Sequence, residues 1–158
     1  MPMKIRPVVA RDRSDIIGIL EDTEAFMPGD VQVAIELIDC YLKDGISSGY
    51  HLYLAELDGQ TAGYICYGPT PLTMGTWDVY WIAAASQLKG HGIGTALLNF
   101  AEQNIRQAGG RMVIIETGSS PVYLEARRFY FARGYIIVSS IPDFYSPGDN
   151  MITFRKLV

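Results

Sequence analysis

Cysteine and histidine are scarce in this chain, with two of each among 158 residues. Cys40 and Cys66 stand in separate apolar segments without the paired spacing of a zinc site or a redox dithiol, and both read as reduced core residues. His51 and His91 have no Cys, Asp or Glu at ligand spacing, so no metal is expected. Long hydrophobic runs are missing too. None approaches the roughly 20 residues that cross a bilayer, and Met1-Pro-Met-Lys-Ile-Arg6 carries no apolar signal core. The expectation is a cytoplasmic protein without membrane contact. Lysine and arginine form no block, and a formal net charge of −4 leaves no electrostatic footprint for nucleic acid or anionic lipid. Repeats and low-complexity tracts are absent as well. A chain that is 49% hydrophobic and 19% charged reads as globular, and its length suits one domain over 1–158 with a single sizeable core.

What is present is patterned. Lys4 to Val8 reads as a short strand, after which Asp12 or Ser14 can cap a helix carrying Ile16, Ile17, Ile19 and Leu20. Pro28-Gly29 breaks the chain. Asp30 then reads as the cap of a second helix with Val31, Ala34, Ile35, Ile38, Tyr41 and Leu42 on one stripe. His51–Leu57 and Thr61–Tyr67 are β-rich and joined by Asp58-Gly59, a favoured type I′ hairpin pair. Thr76–Ala83 reads as a third strand of this block. A helix follows from about Ile93, expected to bury Ile93, Ala96, Leu97, Phe100, Ile105 and Ala108. It stops at Gly109-Gly110 and leads to the apolar strand Met112–Ile115. Ser120-Pro121 starts another helix that ends at Gly134. Two last strands, Tyr135–Ile141 and Met151–Leu157, flank a loop from Pro142 to Asn150. The order is β-α-α-β-β-β-α-β-α-β-β.

The segment Lys89-Gly-His-Gly-Ile-Gly94 sits at a strand-to-helix junction. Glycine lets the backbone approach a ligand closely, and the helix that follows aims free N–H groups and its positive dipole end back at the loop. That combination suits a phosphate or pyrophosphate. A nucleotide P-loop is excluded because no lysine stands at the helical end. A dinucleotide site places Glu116 near the right distance for a ribose hydroxyl, but the sixth fingerprint position is Thr95, and too little chain follows Thr117 for a doubly wound sheet.

Two blocks in order resemble the GNAT family of N-acetyltransferases, and the resemblance covers essentially the whole chain. The family's Gln/Arg-x-x-Gly-x-Gly/Ala signature is met by Lys89, Gly92 and Gly94, with lysine in place of the usual Gln or Arg. A second register, Gln87, Gly90 and Gly92, meets it literally. Ala126-Arg-Arg-Phe-Tyr130-Phe-Ala-Arg-Gly-Tyr135 resembles the family's Ala-x-x-Phe-Tyr-x-x-x-Gly-Phe/Tyr block. Tyr123 stands where an asparagine is common. The implied fold is α/β (α+β), with a mixed, mostly antiparallel central sheet, a parallel strand–helix–strand crossover around the glycine loop and helices on both faces.

The resemblance implies acetyl transfer from acetyl-CoA, with no metal, to a primary amine by direct attack in a ternary complex. Lys89, Gly90, His91, Gly92, Ile93, Gly94 and Thr95 are expected to hold the pyrophosphate through main-chain amides. Ile82, Ala83 and Ala84 are expected to present N–H groups to the thioester carbonyl, and Tyr123 to meet the pantetheine arm. Tyr130 matches the tyrosine that protonates the leaving thiolate. Glu116 ends an apolar strand, where burial raises a carboxyl pKa toward that of a useful base. Asp78 is the competing base, and alternation places it on one face with Tyr80 and Ile82. Tyr145 and Asp149, in the last loop, are candidate acceptor contacts. The acceptor class stays open among peptide amino termini, protein lysines, polyamines, free amino acids and amine drugs. A homodimer is a family expectation. The other classes are a non-catalytic acyl-CoA-binding regulator and a nicotinamide-dependent oxidoreductase.

Overall fold

The computed structural model describes residues 2–158. Its centre is one seven-stranded sheet, ordered β1-β2-β3-β4-β5-β7-β6. The strands are β1 (Met3–Pro7), β2 (His51–Leu57), β3 (Gln60–Pro69), β4 (Thr76–Ala84), β5 (Met112–Gly118), β6 (Ile136–Ser146) and β7 (Asp149–Leu157). Every neighbouring pair is antiparallel except β4 and β5. These two are parallel because a helix, α3 (Ile93–Gln107), carries the chain back between them. β5 then pairs with the antiparallel β7 rather than with a further parallel unit. A doubly wound dinucleotide sheet is therefore ruled out.

Two apolar clusters sandwich the sheet. α1 (Arg13–Asp22) and α2 (Pro28–Asp44) cover one face through Ile16, Leu20, Ala34 and Ile38 against Leu52, Leu54, Tyr64 and Cys66. α3 and α4 (Leu124–Ala132) cover the other through Leu97, Leu98, Ala101 and Tyr130 against Ile65, Val113, Ile115 and Phe154. Within this layer Glu102 is buried. It accepts hydrogen bonds from Tyr135 Oη at 2.8 Å and Lys156 Nζ at 2.9 Å, so its charge is compensated where it lies.

The hairpin at Asp58-Gly59 has the positive φ of a type I′ turn at both positions, 51° and 75°. Other local expectations shift. Asp12 precedes α1 but caps nothing in it; its carboxylate accepts from Val9 N and from Arg6. α2 starts at Pro28, and Asp30, two residues later, accepts from Met27 N at 2.9 Å. The buried stripe of α3 runs through Leu98 and Ala101, leaving Ala96 and Phe100 half-covered and Ala108 exposed. The helix is turned so that Phe100 leans on Tyr53, ring centroids 4.6 Å apart. Cys66 is buried, but Cys40 lies exposed on α2, because the apolar stripe passes beside it. The expected loop from Pro142 to Asn150 is mostly strand. β6 continues to Ser146 and β7 begins at Asp149, with Gly148 turning at φ 84°. No helix of the described residues is long and apolar enough to cross a membrane.

Candidate active site

The parallel pairing of β4 and β5 ends at Val79 opposite Ile115, yet both strands continue. β4 runs on to Ala84 held by β3, and β5 runs on to Gly118 held by β7. A gap opens between them. Its cause is a bulge: Val79 faces Tyr67 and Trp81 faces Cys66, so Tyr80 has no partner on β3.

The bulge reverses the alternation of β4. Trp77 and Val79 lie in the α3–α4 layer, and beyond Tyr80 it is Ile82 and Ala84 that pack there, while Trp81 and Ala83 join the α1–α2 layer. The expectation that Asp78 and Ile82 share a face is thereby corrected. Ala85 N donates to Ala62 O at 2.7 Å, which makes Ala85 and, by alternation, Ala83 hydrogen-bonded partners of β3. The N–H groups of Ile82 and Ala84 consequently point into the gap, and that of Ala83 does not.

At the end of β4 the glycine loop enters α3. Gly90 and Gly92 have φ of 83° and 75°, and a Cβ at either would meet open space. Gly94 instead packs against Phe129, which a Cβ would approach to 3.3 Å. Gly92 caps α3 without a side-chain acceptor, and the first hydrogen bond of the helix runs from Ala96 N to Gly92 O. Among the described residues, the N–H groups of Ile93, Gly94 and Thr95 therefore have no acceptor. His91 and Lys89 differ: their amides bond to Leu88 O and Ser86 O within the turn. The His91 ring is exposed, with Nδ1 3.0 Å from Leu88 O. Lys89 Nζ is 3.2 Å from Glu125 in an exposed ion pair. A cation absent from the sequence reading stands closer to the helix start. Arg133 donates to Thr95 Oγ1 at 2.6 Å and lies 5.7 Å over the Phe129 ring. Its place just before Gly134, inside the second motif block, was the available signal.

The two faces of the gap differ in chemistry. On the α3–α4 side Tyr130 is buried, with its ring edge-on to Phe129 and Tyr135 and tilted on Phe154. Burial raises its phenol pKa, which keeps the proton on. On the opposite side Glu116 is exposed, since its neighbour Ile115 takes the core position. Partial desolvation and the like charge of Asp78 hold its carboxyl above the ordinary glutamate value. Asp78 accepts from Thr70 Oγ1 at 2.5 Å. Tyr80 is pushed up to about 12 by burial and then by Asp78. Tyr145 is raised by burial and then by the negative fields of Glu116 and its acidic neighbours. Tyr123 donates to Ala25 O at 3.2 Å, in the connection between α1 and α2. Asp149 is engaged by the N–H groups of Ser119 and Ser120 at 3.0 and 3.1 Å.

Comparison with known proteins agrees with this architecture. The chain is 35% identical over 107 residues to an uncharacterized N-acetyltransferase of Methanocaldococcus jannaschii, spanning 66% of this chain and 64% of that relative's length. A crystal structure from Desulfovibrio desulfuricans, a candidate acetyltransferase of the GNAT family, superposes with a TM-score of 0.95 at 38% identity over 99% of both chains. YncA of Salmonella typhimurium, solved with acetyl-CoA, has a TM-score of 0.73 at 17% identity, covering 98% of this chain and 93% of its own. The profile of the acetyltransferase (GNAT) family matches residues 17–135, and the chain belongs to that family.

Proposed function

We propose that this protein moves the acetyl group of acetyl-CoA to a primary amine by direct attack within a ternary complex. The observation that carries the reading is the gap between β4 and β5. Glu116 follows the last parallel pair on β5, and β4 leads through the glycine loop to the start of α3, where three N–H groups have no acceptor among the described residues. Those donors, with the amides of Gly90 and Gly92 and the guanidinium of Arg133, suit a pyrophosphate. Acetyl-CoA supplies the activated acyl thioester.

The residues divide the remaining work between the two faces. The N–H groups of Ile82 and Ala84 lie where they can stabilise charge developing on the thioester oxygen. Glu116 takes the proton from the acceptor ammonium, directly or through a water, so that the free amine attacks the carbonyl carbon. The C–N bond forms and the C–S bond breaks, Tyr130 gives a proton to the departing thiolate, and the second proton shed by the attacking nitrogen restores the phenol. Asp78 is a second carboxylate on the acceptor side. It raises Glu116 and attracts an ammonium group, while Tyr145 forms part of the acceptor wall.

Calorimetric titration with acetyl-CoA, using NAD under identical conditions as a control, tests the cradle first. Micromolar binding, about −8 kcal/mol, with silence toward NAD supports the reading and leads to an amine screen. Binding of NAD in preference to acetyl-CoA overturns it.

A further inference from the structure

The sheet face that carries Asp78 and Glu116 is roofed only in part. Among the described residues, none of the apolar α1–α2 cluster comes from β5, β6 or β7, so no apolar layer covers this end of the sheet on that side. Arg155 lies there. Its neighbour Phe154 is buried in the opposite layer, and alternation turns Arg155 onto the acidic face. It pairs in register with Ile114 on β5 and Ile136 on β6. Asp78 flanks the same Ile114 from β4.

Arg155 Nε is buried and has no hydrogen-bond partner among the described residues. The ion pairs of the described residues involve Arg6, Arg13, Lys89, Arg106 and Lys156 as cations, and Arg155 joins none of them. A desolvated guanidinium N–H without an acceptor is costly, and a native protein keeps one where a ligand or water completes it. A carboxylate answers a guanidinium best, because its two oxygens match the planar fork, and the half-buried side chain leaves part of that fork within reach. The sheet supplies the spacing. Glu116 and Arg155 are diagonal neighbours on paired strands, with Cα atoms about 7–8 Å apart, and Asp78 stands two strands from Arg155, about 10 Å away. A compact molecule with an ammonium group at the acids and a carboxylate at the arginine fits that interval.

We propose that Arg155 reads a carboxylate on the acceptor, and that the acceptor is a small amine of the free amino-acid class. This rests on the acetyl-transfer reading above. A polyamine brings only positive charge and leaves Arg155 both unpaired and repelling it. A peptide amino terminus offers an amide where the carboxylate belongs, and a neutral carbonyl answers a guanidinium less strongly.

The experiment compares free amino acids with their carboxamides, alongside spermidine and short peptides, in a coenzyme A release assay on the full chain. The expected result is that kcat/KM for an acid exceeds that of its own carboxamide by on the order of 10- to 100-fold. Arg155→Met removes that preference by raising KM for the acid, Arg155→Lys restores part of it, and neither changes acetyl-CoA affinity by calorimetry. A second readout follows the Nε–H proton resonance of Arg155, which is expected to shift on adding an N-acetyl amino acid but not its amide. Equal or better turnover of carboxamides, spermidine or peptides overturns the assignment while leaving acetyl transfer intact. Acetyl-CoA binding without turnover of any acid, and without a resonance shift, overturns it as well. Failure to bind acetyl-CoA is the distinct result that removes the parent reading.

Discussion

Glu116 and Tyr130 lie on opposite faces of the sheet, and desolvation raises the pKa of both. Burial keeps the Tyr130 phenol protonated as a donor. Desolvation and Asp78 lift Glu116 above its usual value of 4.5, which brings a carboxylate base nearer the ammonium it must deprotonate. A base acts when ionised, so kcat/KM is expected to rise with pH through the raised Glu116 pKa. Glu116→Gln is expected to lower kcat by about 10²–10⁴-fold, remove that acidic limb, and leave acetyl-CoA affinity unchanged by calorimetry. Because the fold disfavours the ionised form, the same substitution is expected to raise Tm slightly at neutral pH, which separates lost chemistry from lost structure. Tyr130→Phe keeps the ring packing and is expected to lower kcat without altering that limb, a result readable in the same profile.

At the scale of elements, β3, β4 and α3 meet at Gly63. A Cβ there would stand 2.6 Å from Ala83 O and 2.9 Å from Ile93 Cγ2. The close approach fixes the end of β4 and the first residue of α3 together, the two segments whose main-chain N–H groups are proposed to meet acetyl-CoA. Gly63→Ala is expected to cost about 1–3 kcal/mol in urea unfolding and to weaken acetyl-CoA binding in the same protein, because β4 or Ile93 must shift. Gly29→Ala, in the first turn of α2 with nothing within 4 Å of the added Cβ, is the matched control and leaves both quantities unharmed. The hairpin of β6 and β7 shows why pattern alone misassigned an element. Pro142, Ser146, Pro147 and Gly148 look like loop chemistry, but Ser146 still pairs with Asp149. The irregular register between Ile141 and Ser146 absorbs the residues that do not fit a ladder.

Across the whole molecule, a charged cluster joins β1, already paired with β2, to the turn before α1. Arg6 donates to Asp12 at 2.7 and 2.8 Å and to Glu56 at 2.7 Å, with Asp12 almost fully buried. Hydrogen bonds from Arg6 hold the Asp12 carboxyl below its ordinary value of 3.8. A depressed carboxyl pKa stabilises the fold fully above the unfolded value, and that stabilisation is lost as pH falls through the folded one. Acid unfolding followed by circular dichroism is expected to show this loss below about pH 4. Asp12→Asn is expected to cost about 2 kcal/mol at neutral pH and to flatten the acid limb.

Much of this fold was legible because its signals are local. Asp58-Gly59 announces a hairpin, and the periods of the α2 and α3 segments announce helices. Each depends on residues close in the chain, as do the two motif blocks that resemble the GNAT family. What the tertiary structure decided depends on partners far away. The bulge at Tyr80 exists only in register with Cys66 and Tyr67, and it turned Ile82 to the other face and aimed alternate amides into the gap. Arg133, 38 residues on in the chain, came to the start of α3 and donates to Thr95. Arg155 came to share a sheet face with Glu116, its Nε without a partner among the described residues, only when β7 was laid beside β5. Periodicity is a property of one strand, whereas register, burial and charge pairing belong to at least two, and only the folded chain brings those together.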